Sequence, residues 1–469
     1  MNKGDLPYMK TYESCRNTYP VFSYKNYEVQ DTKSELQITY HFEIPGLSQF
    51  APTWRFPKKD AAPLALSENR ILQEMIFSLG MVELISYWKI ACPPKVIVSA
   101  GTLSDEQIRW WKDLYYLGLG EFFYTNDIHA DAESFMELTS DAGACSGRVL
   151  PCPASGGCLI PIGGGKDSAC TIEMLKKSGQ PIRTYIINPR GATLKTVEAA
   201  GLPMEHSIHA RRTLDTRMIE LNKEGYLNGH TPFSALVAFS SLITAYLHGL
   251  KYIALSNESS ANESTVAGST VNHQYSKSFK FEQDFHIYEK TYIGSGIHYF
   301  SMLRPLSEFQ IAKYFAGATA YHDIFRSCNV GSKQDIWCGH CPKCLFVFLI
   351  LSPFLSHTRL AEIFGADMTN DPSMQEDFEK LAGLHSEKPF ECVGSRDEVN
   401  AALCLTIEQM EKSGEPLPYL LDWYRKQPAY ENAFPSRHAY DRCYDKNHLL
   451  PAEFLHILAE ECYGGKLPC

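Results

Sequence analysis

The chain has 469 residues, of which 44% are hydrophobic and 21% are charged; this composition excludes a collagen-like or disordered chain, and the length favours two or three domains. The formal net charge of −10 disfavours nucleic acid as a partner, because binding a phosphate backbone requires a basic surface. We see neither a signal peptide nor an apolar run long enough to cross a bilayer, so we expect a cytoplasmic protein without membrane insertion.

The first part of the sequence predicts a mixed α/β domain over residues 1–150, whose role no motif identifies. Residues 20–45 alternate apolar and polar side chains around the turn-like stretch QDTKSE, which predicts a β-hairpin. Two stretches of helical spacing follow, from Leu64 and after Ser104, and Ser104 is a candidate N-cap. A segment rich in Gly, Ala, Ser and Pro, residues 141–157, then predicts a linker.

Strand-like and helix-like segments alternate over residues 151–355. The strands are predicted at CLIPI, RTYIINP and KYIALSN, with helical patterns between them. This alternation predicts a doubly wound parallel sheet, whose ligand site lies at the carboxyl ends of its strands. Residues 356–469 show helical patterns separated by Pro and Gly, so we expect a helical C-terminal region.

A glycine-rich loop, GGGKDS, lies between the first of these strands and a helix. It is not a P-loop, because Ile160 stands five residues before Gly165 and Asp167 follows the lysine; it is not a dinucleotide fingerprint, because Ser168 occupies the last glycine position. Backbone N–H groups of such a loop suit a pyrophosphate, and Lys166 adds a cation. Asp167 would be repelled by bare phosphates, which suggests a bridging Mg²⁺. A tight strand-to-helix connection is the alternative.

This loop resembles the PP-loop of the ATP pyrophosphatase superfamily. The resemblance implies an adenine nucleotide α-hydrolase-like fold and cleavage between the α- and β-phosphates of ATP. It also implies that the segment IALSNESSANES, Ile253 to Ser264, helps to hold pyrophosphate and Mg²⁺, with Asp167 and Glu258 meeting the metal. An ordinary polar loop is the alternative for this segment. The implied ATP-binding residues are Gly163, Gly164, Gly165, Lys166, Asp167, Ser168, Ser256, Asn257 and Glu258.

Four cysteines, Cys328, Cys338, Cys341 and Cys344, follow the spacing C-x9-C-x2-C-x2-C. Four closely spaced thiolates in a reducing compartment are typical of a structural Zn²⁺ site. The arrangement resembles the zinc site of the deazaguanine nitrile synthases, which share the PP-loop. An iron–sulfur cluster and free thiols are the alternatives, and His340 is a possible substitute ligand.

Two further segments contain candidates for proton transfer. The loop NHQYSKS offers His273 and Lys277, although a solvated surface turn would look the same. The segment PFECVGSRDEV offers Cys392, for which a buried inert thiol is the alternative. Ser395 and Glu398 in that segment have the spacing of a capping box.

GGGKDS, SNESSANES, NHQYSKS, CGHCPKC and PFECVGS occur here in one order. Together they resemble the bacterial UDP-N-acetylmuramoyl-L-alanyl-L-glutamate epimerases of peptidoglycan synthesis. The resemblance implies a UDP-linked muramoyl dipeptide as substrate, with ATP, Mg²⁺ and a structural Zn²⁺. ATP would adenylate the carboxylate of the terminal L-glutamate with release of pyrophosphate, and His273, Lys277 or Cys392 would move the α-proton. Hydrolysis would then release AMP and the D-glutamyl product.

Other activities remain open from the sequence. A PP-loop ligase of the deazaguanine type, which forms an amide or a nitrile from a carboxylate, would share the loop and the cysteines, but it would have little use for a large preceding domain. A tRNA-thiolating enzyme also shares the loop, but the acidic composition opposes it. A non-catalytic nucleotide-binding protein is the third alternative.

Overall fold

The structure is a computed structural model and describes residues 10–59, 62–141 and 156–468. Its contacts divide the chain into two units. Unit 1 comprises the described residues of Met1–Ser155, Ile208–Lys251 and Asp284–Ile297. Unit 2 comprises those of Gly156–Ser207, Tyr252–Gln283 and His298–Cys469. The three-domain division at residues 150 and 355 stays a prediction, and most of the predicted linker lies outside the described residues.

The strands and helices are numbered in chain order. The strands are β1 (Val21–Asp31), β2 (Glu35–Ile44), β3 (Ser48–Phe50), β4 (Thr53–Pro57), β5 (Lys95–Val98), β6 (Glu137–Ser140), β7 (Cys158–Pro161), β8 (Ile182–Ile187), β9 (Ser207–Thr213), β10 (Tyr252–Leu255) and β11 (His298–Ser301). The helices are α1 (Tyr12–Thr18), α2 (Arg70–Trp88), α3 (Asp105–Gly118), α4 (Gly120–Thr125), α5 (Lys166–Lys176), α6 (Gly191–Ala199), α7 (Thr216–Lys223), α8 (Phe233–His248), α9 (Phe279–Tyr288), α10 (Glu308–Ala316), α11 (Pro342–Leu351), α12 (His357–Phe364), α13 (Gln375–Leu381), α14 (Arg396–Ser413), α15 (Tyr419–Arg425), α16 (Pro428–Ala433) and α17 (Ala452–Tyr463).

Unit 1 is built on a mixed sheet. The predicted hairpin is confirmed: β1 and β2 pair antiparallel, and Val29 lies opposite Ile38. The sheet continues from β2 through β4 to β9 with antiparallel pairing, and from β1 through β5 to β6 with parallel pairing. The almost completely buried helix α2 packs against β1, β2 and α8. Ser104 caps α3 as predicted, with Gln107 completing a capping box.

Unit 2 contains a sheet of parallel strands in the order β11, β10, β7, β8. Tyr252 of β10 lies opposite Cys158 of β7 on one side and His298 of β11 on the other. The predicted parallel sheet is therefore present, whereas the doubly wound PP-loop fold stays a prediction. Since parallel strands end at one edge, the glycine loop after β7 and the polar segment after β10 lie side by side.

The C-terminal part of unit 2 is helical, as predicted, from α12 to α17. These helices share one apolar core with α10, α11 and the parallel sheet, to which Phe346, Leu403 and Phe454 contribute fully buried side chains. Within the described ranges, no helix combines the length and the apolar character needed to cross a membrane.

Candidate active site

The glycine loop connects the end of β7 to the first turn of α5. Gly164 has a φ of +85°, and a Cβ at this position would lie 3.0 Å from Ala192 Cβ and 3.2 Å from Thr193 N. Only glycine fits this position without strain. A Cβ at Gly163 would meet no atom within 4 Å, so the space beside Gly163 is open. The loop therefore combines a tight turn, an accessible glycine and a helix N-terminus, as a phosphate-binding loop requires.

The lysine of this loop is engaged by protein carboxylates. Lys166 is buried and forms ion pairs with Asp167 and Glu308. Burial alone would lower the pKa of Lys166, but the two carboxylates hold it above the ordinary value. The Ser168 hydroxyl donates to the carbonyl of Gly165 over 3.0 Å and so closes the first turn of α5. Neither side chain points freely into the open space.

Three carboxylates converge beside the loop. Oxygens of Asp167, Glu258 and Glu308 all lie within 4.8 Å of one another, and the two glutamates are almost fully buried. Burial raises the pKa of Glu308 to about 8; Lys166 acts against this, and Asp167 and Glu258 add to it. An all-oxygen set of this kind suits Mg²⁺. Asp167 and Glu258 are the residues that the resemblance implies for magnesium, and Glu308 is a third group that sequence reasoning missed.

The segment after β10 contributes two buried hydroxyls, those of Ser256 and Ser260, that form no hydrogen bond with the described residues. The Asn257 amide donates to Ser301 Oγ over 3.2 Å, which fixes the segment to β11. Ser256 Oγ is buried, and no described residue forms a hydrogen bond with it. A buried hydroxyl costs free energy unless it is paired. Because Ser256 directly follows β10, at the sheet edge that carries the glycine loop, its hydroxyl is a candidate to meet a ligand there.

The three predicted proton carriers come together although Cys392 is more than one hundred residues from the other two. Cys392 forms side-chain hydrogen bonds with His273 and Lys277. Burial opposes ionisation of the thiol, but Lys277, His273 and Lys343 together lower the pKa of Cys392 to about 6. The pKa of Lys277 is raised despite its burial, because Cys392, Glu258 and Asp167 are close to it. Lys277 thus joins the thiol to the carboxylate cluster.

Arg304, which the sequence analysis did not single out, fixes both parts of this arrangement. Its fully buried guanidinium forms an ion pair with Glu282, with Nη2 2.9 Å from Oε2. The same group donates to the backbone carbonyls of Glu258 and Lys277. The side-chain amide of Gln274 also donates to the carbonyl of Val393 over 2.9 Å and links the two loops. Buried hydrogen-bond networks of this kind favour one geometry.

The segment that carries Cys392 is tied to the carboxylate cluster through α14. Ser395 and Glu398 form the predicted capping box at the start of α14. Glu398 Oε1 also accepts a hydrogen bond of 2.6 Å from the backbone N–H of Glu308. On the other side, Lys343 donates to the backbone carbonyl of Cys392. The segment that carries Cys392 is therefore held by α10 and α11, two helices that the sequence pattern did not connect to it.

The four predicted cysteines form one cluster. Their sulfur atoms lie within 4.8 Å of one another, with separations of 3.8 Å for Cys328–Cys341, 3.7 Å for Cys338–Cys344 and 3.5 Å for Cys341–Cys344. A tetrahedral zinc site with Zn–S bonds of about 2.3 Å has S–S edges of about 3.8 Å, so the cluster fits this metal. His340 does not belong to the cluster; its Nδ1 lies 2.8 Å from the carbonyl of Cys338.

Comparison with known proteins adds independent information. The chain matches the MurL N-terminal domain over residues 13–302 and the MurL C-terminal domain over residues 324–432. A protein of Xanthomonas oryzae pv. oryzae is 34% identical over 363 residues, which cover 75% of this chain and 78% of the relative. A protein of Salinispora tropica is 33% identical over 403 residues, covering 83% and 85% of the two chains.

A third relative, from a Micromonospora strain, is 32% identical over 407 residues, which cover 84% of this chain and 89% of the relative. All three are named UDP-N-acetyl-alpha-D-muramoyl-L-alanyl-L-glutamate epimerase. No solved structure matches the chain. The two domain matches and the extent of these three similarities show that the chain belongs to the MurL family.

Proposed function

We propose that this chain is an epimerase that converts the terminal L-glutamate of UDP-MurNAc-L-Ala-L-Glu into D-glutamate, and that ATP activates the glutamate first. The names of the three relatives support the reaction and its substrate. They also favour it over an amide- or nitrile-forming ligase, because the similarity includes the large region before the glycine loop. The activation by ATP is supported by the residues that converge in unit 2.

Activation solves a charge problem of this reaction. Removing the α-proton of a free glutamate would place a second negative charge beside the α-carboxylate. If a carboxylate oxygen instead attacks the α-phosphorus of ATP, the bond to pyrophosphate breaks and an acyl-adenylate forms. The carboxylate charge is then cancelled, and the α-proton becomes more acidic. Water finally releases AMP and the D-glutamyl product.

The glycine loop supports the first step. Its backbone N–H groups and the N-terminus of α5 can bind the leaving pyrophosphate beside Gly163, and the Ser256 hydroxyl is available to the same ligand. Asp167, Glu258 and Glu308 are the residues that would hold Mg²⁺, which when bound supplies positive charge to the phosphate oxygens. Lys166 keeps two of these carboxylates in place by its ion pairs.

The thiol cluster supports the second step. The lowered pKa of Cys392 favours its thiolate at neutral pH, so its sulfur can accept the α-proton as the Cα–H bond breaks. Lys277 and, when protonated, His273 are the adjacent acids that can return a proton to the α-carbon, and inversion requires that this proton arrive on the face opposite the thiol. Since Lys277 also faces Glu258 and Asp167, the proton carriers lie next to the group that activation would modify.

One observation carries this proposal: three segments far apart in sequence, at Gly163–Ser168, Ser256–Lys277 and Cys392–Glu398, meet at one end of the parallel sheet of unit 2. A phosphate-binding loop alone would fit a nucleotide-binding protein without catalysis. A low-pKa thiol beside that loop adds a reason for proton transfer.

The experiment is turnover in deuterated water. The purified protein is incubated with ATP, Mg²⁺ and UDP-MurNAc-L-Ala-L-Glu, and the products are followed by NMR and by chiral analysis of the hydrolysed glutamate. We expect deuterium at the glutamyl α-carbon, D-configuration, and equal amounts of AMP and pyrophosphate. Formation of ADP and phosphate would contradict the proposed activation, and turnover without any nucleotide would do so as well.

Two ATP analogues provide a matched control. The α,β-methylene analogue cannot release pyrophosphate and should block epimerisation. The β,γ-imido analogue keeps the α–β bond cleavable and should support epimerisation. The opposite pattern would show that the terminal phosphate is the one transferred.

A further inference from the structure

The residues that precede the first cysteine of the metal-binding cluster lie against the glycine loop. The backbone N–H of Arg326 donates to the carbonyl of Gly164 over 2.8 Å. Ser327 Cβ lies 3.4 Å from the position that a Cβ at Gly165 would occupy. The next residue, Cys328, is buried in the cysteine cluster and accepts a hydrogen bond from the N–H of Gly331. The cysteine cluster thus holds Arg326 beside the loop.

The guanidinium of Arg326 is incompletely paired. One nitrogen, Nη1, donates to the carbonyl of Phe325 over 2.7 Å. Its Nε is buried, and no residue in the described ranges accepts a hydrogen bond from it. The two nearby carboxylates are engaged elsewhere: Asp335 accepts from Ala192 N and pairs with Lys195, and Asp323 pairs with Arg359.

The lysine of the glycine loop, in contrast to Arg326, has its charge paired within the protein. Lys166 is buried between Asp167 and Glu308, so its charge is already compensated by the protein. A polyphosphate that rests on the loop would still carry several negative charges. An arginine can meet phosphate oxygens with two parallel N–H donors, which a lysine cannot do.

We propose that Arg326 is a further ATP-binding residue, whose guanidinium donates to the phosphates that rest on the Gly163–Gly165 turn. This inference rests on the proposed function, because it places ATP on that turn. The cysteine cluster then has a part in nucleotide binding: the metal that it would hold fixes Cys328 and with it the two residues that line the turn.

The test measures binding by isothermal titration calorimetry in the presence of Mg²⁺, with ATP, pyrophosphate and adenosine as separate probes. We expect Arg326→Gln to weaken the binding of ATP and pyrophosphate by about 10- to 100-fold, because charge-assisted hydrogen bonds are lost. The binding of adenosine should be unchanged. Arg326→Lys should give a smaller loss, because it keeps the charge and not the planar group. Arg425→Gln, at an arginine paired with Glu411, is the matched control and should bind all three probes like the wild type.

The outcomes separate this inference from the proposed function. If the wild type binds ATP and Arg326→Gln binds it equally well, the inference is overturned and the proposed function stands. If the variant loses affinity for ATP and for adenosine to the same extent, Arg326 does not contact phosphate and the inference is also overturned. If the wild type binds no ATP, both fail. Circular dichroism of each variant shows that it is folded, and Arg326→Lys replaces Arg326→Gln if the latter is not.

Discussion

The ammonium of Lys166 lies against the carboxylate of Glu308, a residue 142 positions further along the chain. This contact brings the start of α10 to the start of α5, so that Glu308 completes the carboxylate group formed with Asp167 and Glu258. The backbone N–H of Glu308 also donates a hydrogen bond to the carboxylate of Glu398. Glu308 is therefore the point at which the glycine loop, the carboxylates and the segment that carries Cys392 are connected.

Glu308→Gln should impair magnesium binding with little change of shape. The amide keeps the size of the side chain but replaces a carboxyl group that can ionise to bind Mg²⁺ by a neutral, weaker oxygen ligand, so we expect a 10- to 100-fold higher Mg²⁺ requirement for pyrophosphate release. The measurement is the initial rate as a function of Mg²⁺ concentration. Glu376→Gln, at an exposed glutamate paired with Lys380, is the control and should resemble the wild type. An unchanged Mg²⁺ curve in Glu308→Gln would exclude Glu308 as a ligand.

The sequence could predict those parts of the site that depend on local spacing. The cysteine spacing, the glycine loop and the Ser395–Glu398 capping box are all recognisable within a few residues, and the structure has each of them. Glu308 was missed because SEFQ reads as an ordinary helix start, and the structure indeed has a Ser307–Gln310 capping box there. Its place shortly after the parallel strand β11, at the edge that also carries the glycine loop, is the signal that could have found it.

Local sequence patterns could not predict the role of Arg304 or which segments make up each of the two units. Nothing near Arg304 in sequence indicates that its partners are Glu282 and the carbonyls of Glu258 and Lys277, because these contacts depend on the packing of several elements. For the same reason, the return of segments 208–251 and 284–297 to unit 1 could not be foreseen. Hydrophobic periodicity identifies a helix or a strand, and it does not identify the neighbour that covers it.

Two alanine substitutions in the glycine loop should have different effects. Gly164→Ala forces an L-residue to a φ of +85° against Ala192 and Thr193, so we expect lower stability, by about 1–2 kcal/mol or more. Gly163→Ala meets no protein atom and should leave stability unchanged, but its methyl group would occupy the space proposed for phosphate and weaken ATP binding.

Thermal unfolding and calorimetric titration with ATP measure the two effects. Gly179→Ala, at a positive φ with no atom nearby, controls for backbone strain alone and should leave ATP binding intact. Undiminished ATP affinity in Gly163→Ala would argue against phosphate at this turn.

Arg304→Gln should destabilise unit 2 strongly. It leaves the buried Glu282 carboxylate without its cation and two backbone carbonyls without donors, and loss of one partner of a buried pair costs about 3–5 kcal/mol. The measurement is the urea midpoint followed by fluorescence. Arg425→Gln, at a partly exposed arginine paired with Glu411, should shift the midpoint little. Similar midpoints for the two variants would show that the Arg304 network contributes no more than a surface pair.

The cysteine cluster should carry about one zinc ion per chain in protein purified without chelators. The S–S separations of 3.5–3.8 Å suit a tetrahedral metal site and are far longer than a disulfide bond. Elemental analysis and X-ray absorption, with an expected Zn–S distance of about 2.3 Å, are the measurements. Cys344→Ser should lose the metal and Cys462→Ser, outside the cluster, should keep it. Stoichiometric iron together with sulfide would contradict this prediction and show that the cysteines hold an iron–sulfur cluster.

Alkylation of Cys392 should be half-maximal near pH 6, because only the thiolate attacks iodoacetamide and the pKa of this thiol is about 6. Below that pH the thiol becomes protonated and the rate should fall about tenfold per pH unit; above it the rate should level off. Mass spectrometry of the labelled peptides gives the rate at each pH. Cys443, whose pKa is raised by burial and by the nearby carboxylates of Glu398 and Asp445, is an internal control that should react only in alkaline solution.

The lysine beside this thiol allows the cause of the low pKa to be tested. Lys277→Met removes the cation that lowers the pKa of Cys392 most, so the alkylation midpoint should move to higher pH, toward the value of an ordinary thiol. The deuterium exchange at the glutamyl α-carbon should follow the same acid limb in the wild type and shift with the alkylation midpoint in the variant, because both depend on one thiolate. A midpoint above pH 8 in the wild type would mean that Cys392 is protonated under working conditions, and a base other than this thiol would then have to remove the α-proton.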